Sequence, residues 1–147
     1  MKSCNLLFAF ALTVVSCGSS SSSPTDAIVT KQIGPDGGVI EVEGAVVTFP
    51  EGAVASPTTV TISAREKSAV PVGYVALSRV FECEPSGTSF ARPVEMRMPF
   101  TDDGGPASLF WSTGADRAFR DVGGRVEGKT MVATVQHFSS GFVGRKL

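Results

Sequence analysis

The run Gly34-Pro35-Asp36-Gly37-Gly38, Val39-Ile40-Glu41-Val42-Glu43, Gly44, Ala45-Val46-Val47-Thr48-Phe49 decides the fold. A proline and three glycines within five residues make a turn, because proline fixes the backbone and glycine enters conformations closed to other residues. From Val39 onward, Ile40 and Val42 alternate with Glu41 and Glu43, the period of a strand with one wet face. Gly44 breaks the run, and Ala45 to Phe49 returns as the second arm of a hairpin.

The same grammar continues outward. Pro50-Glu51-Gly52-Ala53-Val54 is a second turn, and Thr59 to Ala64 alternates cleanly. Val75 to Cys83 reads as one longer strand, ended by Glu84-Pro85-Ser86-Gly87. In Arg92 to Met98, Val94, Met96 and Met98 share one face and Glu95 and Arg97 the other. Beyond the polar turn Asp102-Asp103-Gly104-Gly105-Pro106, Leu109-Phe110-Trp111 supplies aromatic weight for a core. Phe119–Val122, Val126–Gly128 and Thr130–Phe138 follow, and Gly141 sets off a last run, Phe142-Val143. With 16 glycines and 9 prolines in 147 residues and no sustained helical repeat, the expectation is all-β: an antiparallel β-sandwich of roughly eight or nine short strands.

The amino-terminal stretch has a different logic. Lys2 precedes the apolar run Leu6 to Leu12, and Val14-Val15-Ser16 forms a cleavage flank, the pattern of a secretory signal. A membrane span needs roughly 20 apolar residues, and this run is shorter. Val14-Val15-Ser16-Cys17 resembles the bacterial lipobox, whose cysteine thiol receives a diacylglycerol. Gly18 and Ser19 to Ser23 then form a polar, flexible tether. The alternative is a plain signal cut elsewhere, leaving Cys17 an ordinary thiol. The expected organisation is residues 1–16 signal peptide, 17–32 lipidated Cys17 and serine-rich tether, and 33–147 folded domain. Acyl chains bind lipid with about 0.8 kcal/mol per buried methylene, so several chains hold such a protein at a membrane. Gly18, rather than Asp, after the cysteine points under the enterobacterial sorting rule to the outer membrane of a bacterial envelope.

Composition narrows the function. A folded part of roughly 110 residues supports one core and no second domain. The net charge of −1 and the lack of a basic stripe exclude a nucleic-acid partner. Of three cysteines, Cys4 leaves with the signal and Cys17 takes the lipid, so Cys83 has no disulfide partner and reads as a buried core thiol. Gly34 to Gly38 lacks the lysine and helix of a phosphate loop, and Asp102-Asp103 lacks the further oxygen ligands that calcium needs. No cofactor and no metal are expected.

Three blocks carry a family resemblance: Ile33-Gly34-Pro35-Asp36-Gly37-Gly38, Val47-Thr48-Phe49-Pro50-Glu51-Gly52-Ala53-Val54, and Pro85-Ser86-Gly87-Thr88-Ser89-Phe90-Ala91-Arg92-Pro93-Val94. In this order they resemble the ZU-five domain of zonula-occludens scaffolds, netrin receptors, ankyrins and PIDD, over about Ile33 to Val143. The resemblance implies a β-sandwich used for scaffolding and protein contacts and names no partner; with the anchor at Cys17, the expected partner is an envelope protein or surface component. It implies no enzyme acting on other molecules.

One further block, Gln136-His137-Phe138-Ser139-Ser140-Gly141-Phe142, resembles the site at which PIDD-like and FIIND-type relatives cut their own chain. The resemblance makes His137, Phe138 and Ser139 the candidate catalytic residues of autoproteolysis. Alternate strand residues face the same side, so His137 and Ser139 are neighbours about 6.6 Å apart at 3.3 Å per residue, and a kink at Ser140-Gly141 would bring them closer. His137 would then take the hydroxyl proton as Ser139 attacks the Phe138 carbonyl. In the competing reading His137 merely continues the Met131-Ala133-Val135 face, Phe138 packs and Ser139 starts a turn. No Asp or Glu that would orient His137 is identifiable in the sequence.

Overall fold

Residues 26–113 and 118–147 are described by the structure, a computed structural model. Twelve strands form among them: β1 (Ala27–Ile33), β2 (Gly38–Val42), β3 (Ala45–Phe49), β4 (Thr58–Arg65), β5 (Tyr74–Ala76), β6 (Val80–Glu84), β7 (Ser89–Pro99), β8 (Ser108–Ser112), β9 (Phe119–Gly123), β10 (Arg125–Glu127), β11 (Thr130–His137) and β12 (Ser140–Lys146). One short 3-10 turn, Lys67–Ala69, lies between β4 and β5.

The strands form two antiparallel sheets. One has the order β1-β4-β6-β12-β8-β9, with β5 also paired to β12, and the other the order β10-β11-β7-β3-β2. The hairpin that opens the second sheet turns at Glu43-Gly44, both with positive φ (49° and 77°) and with Val42 opposite Ala45. That is the two-residue turn whose twist suits paired strands, and it is why glycine stands at 44.

Between the sheets, Ile40, Val42, Val47, Phe49, Val94, Met96, Met98 and Met131 meet Val60, Ile62, Phe81, Cys83, Leu109, Trp111 and Val143 in one core. Alternation predicts these positions well wherever the outer face is wet, as in β7. It fails in β8 and β12, where consecutive residues are buried. The outer face of those strands is covered too: Phe110 and Phe142 stack with ring centroids 5.6 Å apart, against Val80, Tyr74 and Phe119. A strand buried on both faces carries a continuous apolar run, which is why Leu109-Phe110-Trp111 shows no period of two.

Several expectations are corrected. The strand count is twelve, because Ala27–Ile33 adds a strand and the expected Val75–Cys83 run divides into β5 and β6. Ala27–Ile33 is a seven-residue strand paired along β4, so the fold begins inside the stretch expected as tether and ahead of Ile33. Val75–Cys83 is interrupted: the backbone N–H groups of Leu77 and Ser78 both donate to the Val143 carbonyl, and the Val143 N–H donates to Ser78 Oγ at 2.8 Å. Gly141 lies inside β12 rather than marking a break.

Candidate functional site

His137 ends β11 in one sheet and Ser140 begins β12 in the other, so Phe138 and Ser139 carry the chain across the sandwich. The crossing is made by packing. Phe138 has no exposed surface, and its ring meets Phe49 and Phe90 edge-on at 5.7 and 4.7 Å. Such edge-to-face pairs suit the aromatic quadrupole and hold the ring in one orientation.

The backbone around the Phe138-Ser139 bond is equally fixed. The Phe138 N–H donates to the Thr88 carbonyl at 2.8 Å, and the Phe138 carbonyl accepts from the Gly87 N–H at 2.8 Å. The Ser139 carbonyl accepts from the Cys83 N–H at 2.9 Å. Gly87 and Thr88 belong to the turn Pro85-Ser86-Gly87-Thr88, closed by Thr88 N–H and Oγ1 on the Pro85 carbonyl. The turn therefore does more than shape the backbone. It grips the peptide group that the self-cleavage reading singles out, and Phe90 of the same block packs on Phe138.

His137 is half-buried, and its Nε2 lies 3.2 Å from the Ser112 carbonyl. A carbonyl only accepts, so Nε2 carries the proton there, and in the neutral ring Nδ1 keeps the lone pair. The His137 carbonyl in turn accepts from Trp111 Nε1 at 3.2 Å. Ser139 is buried, and its hydroxyl bonds the hydroxyl of Ser112, itself buried. Both contacts come from the end of β8, a neighbour of β12. Two buried hydroxyls that satisfy each other avoid the cost of an unpaired polar group.

The three residues expected at the site are thus brought together, with two differences. Among the described residues no hydrogen bond joins the His137 ring to the Ser139 hydroxyl; Ser112 stands between them, bonded to each. The irregularity expected at Ser140-Gly141 lies before the site instead, where the register shifts between Val135 and His137: Val135 faces Val94 and His137 faces Ser89. The orienting group for His137, which no carboxylate supplies, is the Ser112 carbonyl. Sequence gave no signal for it, because any residue has a carbonyl and this one is 25 positions away.

Cys83 is fully buried, and burial followed by the charges of Glu84 and Glu82 pushes its thiol far above the ordinary range. Asp103 grips Arg145 with both oxygens at 2.9 and 2.8 Å, and Asp102 and Asp103 accept from the N–H groups of Gly104 and Gly105. Among the described residues no three His, Cys, Asp or Glu side chains converge as a metal site. The expected signal peptide, Cys17 and the serine run lie outside the described residues.

No curated protein matches the chain. Residues 29–109 match the ZU5 domain, more than half of the chain and the region from β1 into β8 that holds all three resemblance blocks. Ser112 and the His137-Phe138-Ser139 block lie beyond the matched stretch. With two antiparallel sheets packed as a sandwich, this chain belongs to the ZU5 domain family.

Proposed function

We propose that this ZU5 sandwich is an interaction module displayed on a bacterial membrane surface, held by lipid on Cys17 through the serine run. The observation that carries the reading is the family membership itself. A closed ZU5 sandwich, whose buried polar side chains among the described residues are the hydrogen-bonded serines 78, 112 and 139, offers its surface for contact. The lipobox-like junction supports the anchor, and Gly18 after the cysteine supports the outer membrane. The partner is an envelope protein or surface component. Fractionation tests the anchor: Cys17→Ser releases the module to the soluble fraction, and retention in the membrane refutes lipid tethering. Crosslinking in intact cells followed by reciprocal capture tests the contact role; recovery of lipid alone refutes it.

A second reading is favoured by the grip on the Phe138-Ser139 bond, whose carbonyl receives the Gly87 N–H while the Ser139 hydroxyl is held by Ser112. In this reading the chain cuts itself there. Ser139 Oγ attacks the Phe138 carbonyl carbon and loses its proton, the carbon–nitrogen bond breaks as the Ser139 nitrogen gains one, and an ester remains. Water then adds to the ester, leaving a carboxylate on Phe138 and a free amine and hydroxyl on Ser139. The Gly87 N–H would stabilise the oxygen as negative charge develops. Denaturing mass spectrometry decides the matter: a fragment beginning at Ser139, absent in Ser139→Ala and His137→Ala, supports cleavage, and an intact chain rejects it.

A further inference from the structure

The self-cleavage reading needs a path for the Ser139 proton, and the direct one is missing. The His137 ring is turned to a backbone carbonyl, and among the described residues no hydrogen bond links it to the nucleophile. The group that does touch Ser139 Oγ is the hydroxyl of Ser112. Ser112 also lines a cavity of about 90 Å³ with Val80, Glu82, Phe119 and Ser140. That volume admits a few waters beside an otherwise buried pair of hydroxyls.

Resting on that reading, we propose that Ser112 is a catalytic proton relay, linking the buried nucleophile Ser139 to water in the cavity beside β8 and β12. As Ser139 Oγ bonds the Phe138 carbon, its proton passes to Ser112 Oγ and the Ser112 proton passes to cavity water. Water returns a proton to the Ser139 nitrogen as the carbon–nitrogen bond breaks, so the acyl shift is proton-neutral. The same space, large enough for water, then admits the molecule that opens the ester. The Ser112 carbonyl meanwhile holds the His137 ring at the site, a contact that survives any change of the Ser112 side chain because it belongs to the backbone.

A merely structural Ser112, present only to satisfy a buried hydroxyl, makes a different forecast, and an isosteric pair separates the two. Threonine keeps the hydroxyl; valine has nearly the same shape and lacks it. The full chain is made by cell-free synthesis as wild type, Ser112→Thr and Ser112→Val, and the fragment beginning at Ser139 is timed by denaturing mass spectrometry, with thermal melts confirming folding. Ser112→Val slows cleavage by roughly tenfold or more, in the range of a lost acid–base group, while Ser112→Thr stays within a few-fold of wild type. If valine prevents folding, Ser112→Ala, which adds no volume, carries the same expectation. A folded Val or Ala variant that cleaves at the wild-type rate overturns the relay and leaves self-cleavage standing. A wild-type chain that never cleaves overturns self-cleavage and the relay together.

Discussion

The six-membered ring of Trp111 occupies the space that a side chain on Gly141 would need: a β-carbon there would lie 2.1 Å from Trp111 Cε3. The pair is registered across β8 and β12, and the same indole donates its N–H to the His137 carbonyl. Gly141 is therefore glycine because of a neighbour's bulk. The Gly141→Ala variant is expected to lose about 1–3 kcal/mol or more, the cost of overpacking a filled core. Urea denaturation measures it, with Gly34→Ala, where nothing lies within 4 Å, as the near-neutral comparison.

Phe138 is the side chain that pins the crossing between sheets. Truncation to alanine removes a fully buried ring from between Phe49 and Phe90 and is expected to cost about 3–5 kcal/mol, with Phe138→Leu costing less. The two midpoints in urea, compared at equal slope, check the order.

The ion pair between Asp103 and Arg145 ties the turn after β7 to the end of β12. The Arg145 hydrogen bonds, then the Gly105 N–H, hold the Asp103 carboxyl below its ordinary value. A carboxyl lowered on folding stabilises the fold above its unfolded titration and loses that contribution as pH falls through its folded value. The stability gap between wild type and Asp103→Asn is thus largest near neutral pH. It begins to close below about pH 4 and vanishes at stronger acid. A series of urea melts against pH reads this directly, and salt narrows the neutral gap because Asp103 is exposed and Arg145 only partly buried.

Cys83 is expected to be silent. Its thiol is buried between the sheets and held protonated, so a thiol reagent added to the folded Cys4→Ser, Cys17→Ser chain leaves it unmodified. Stoichiometric labelling appears only in denaturant. Labelling of the native protein at the rate of a free thiol would show that β6 opens.

Much of this was legible beforehand, for identifiable reasons. β2, β3, β4 and β7 alternate because one face of each packs on the core and the other meets water, so Val94, Met96 and Met98 announce themselves. β1 was hidden: as an edge strand with Lys31 and Gln32 exposed, it reads like linker until β4 is there to pair with it. β8 hid its geometry behind a continuous apolar run, and β12 behind the glycines that flank Phe142-Val143, because a second aromatic cluster covers the outer face of both. At the candidate site the triplet His137-Phe138-Ser139 stood out, since adjacent residues can be recognised together. Its partners did not, because Ser112, Gly87 and Thr88 reach it across strand pairings and turns.

By itself, then, the sequence determined an all-β chain, the hairpin broken at Gly44, the family through its three blocks, and, as an expectation, the export signal with Cys17. These are local properties, written in the period of apolar residues and the backbone chemistry of glycine and proline. Only the tertiary structure decided that β11 and β12 belong to opposite sheets, that Gly141 yields its space to Trp111, and that Ser112 stands between His137 and Ser139. Those are contacts between residues far apart in the chain. They are set by how two twisted sheets close over a shared core, which no window along the sequence contains.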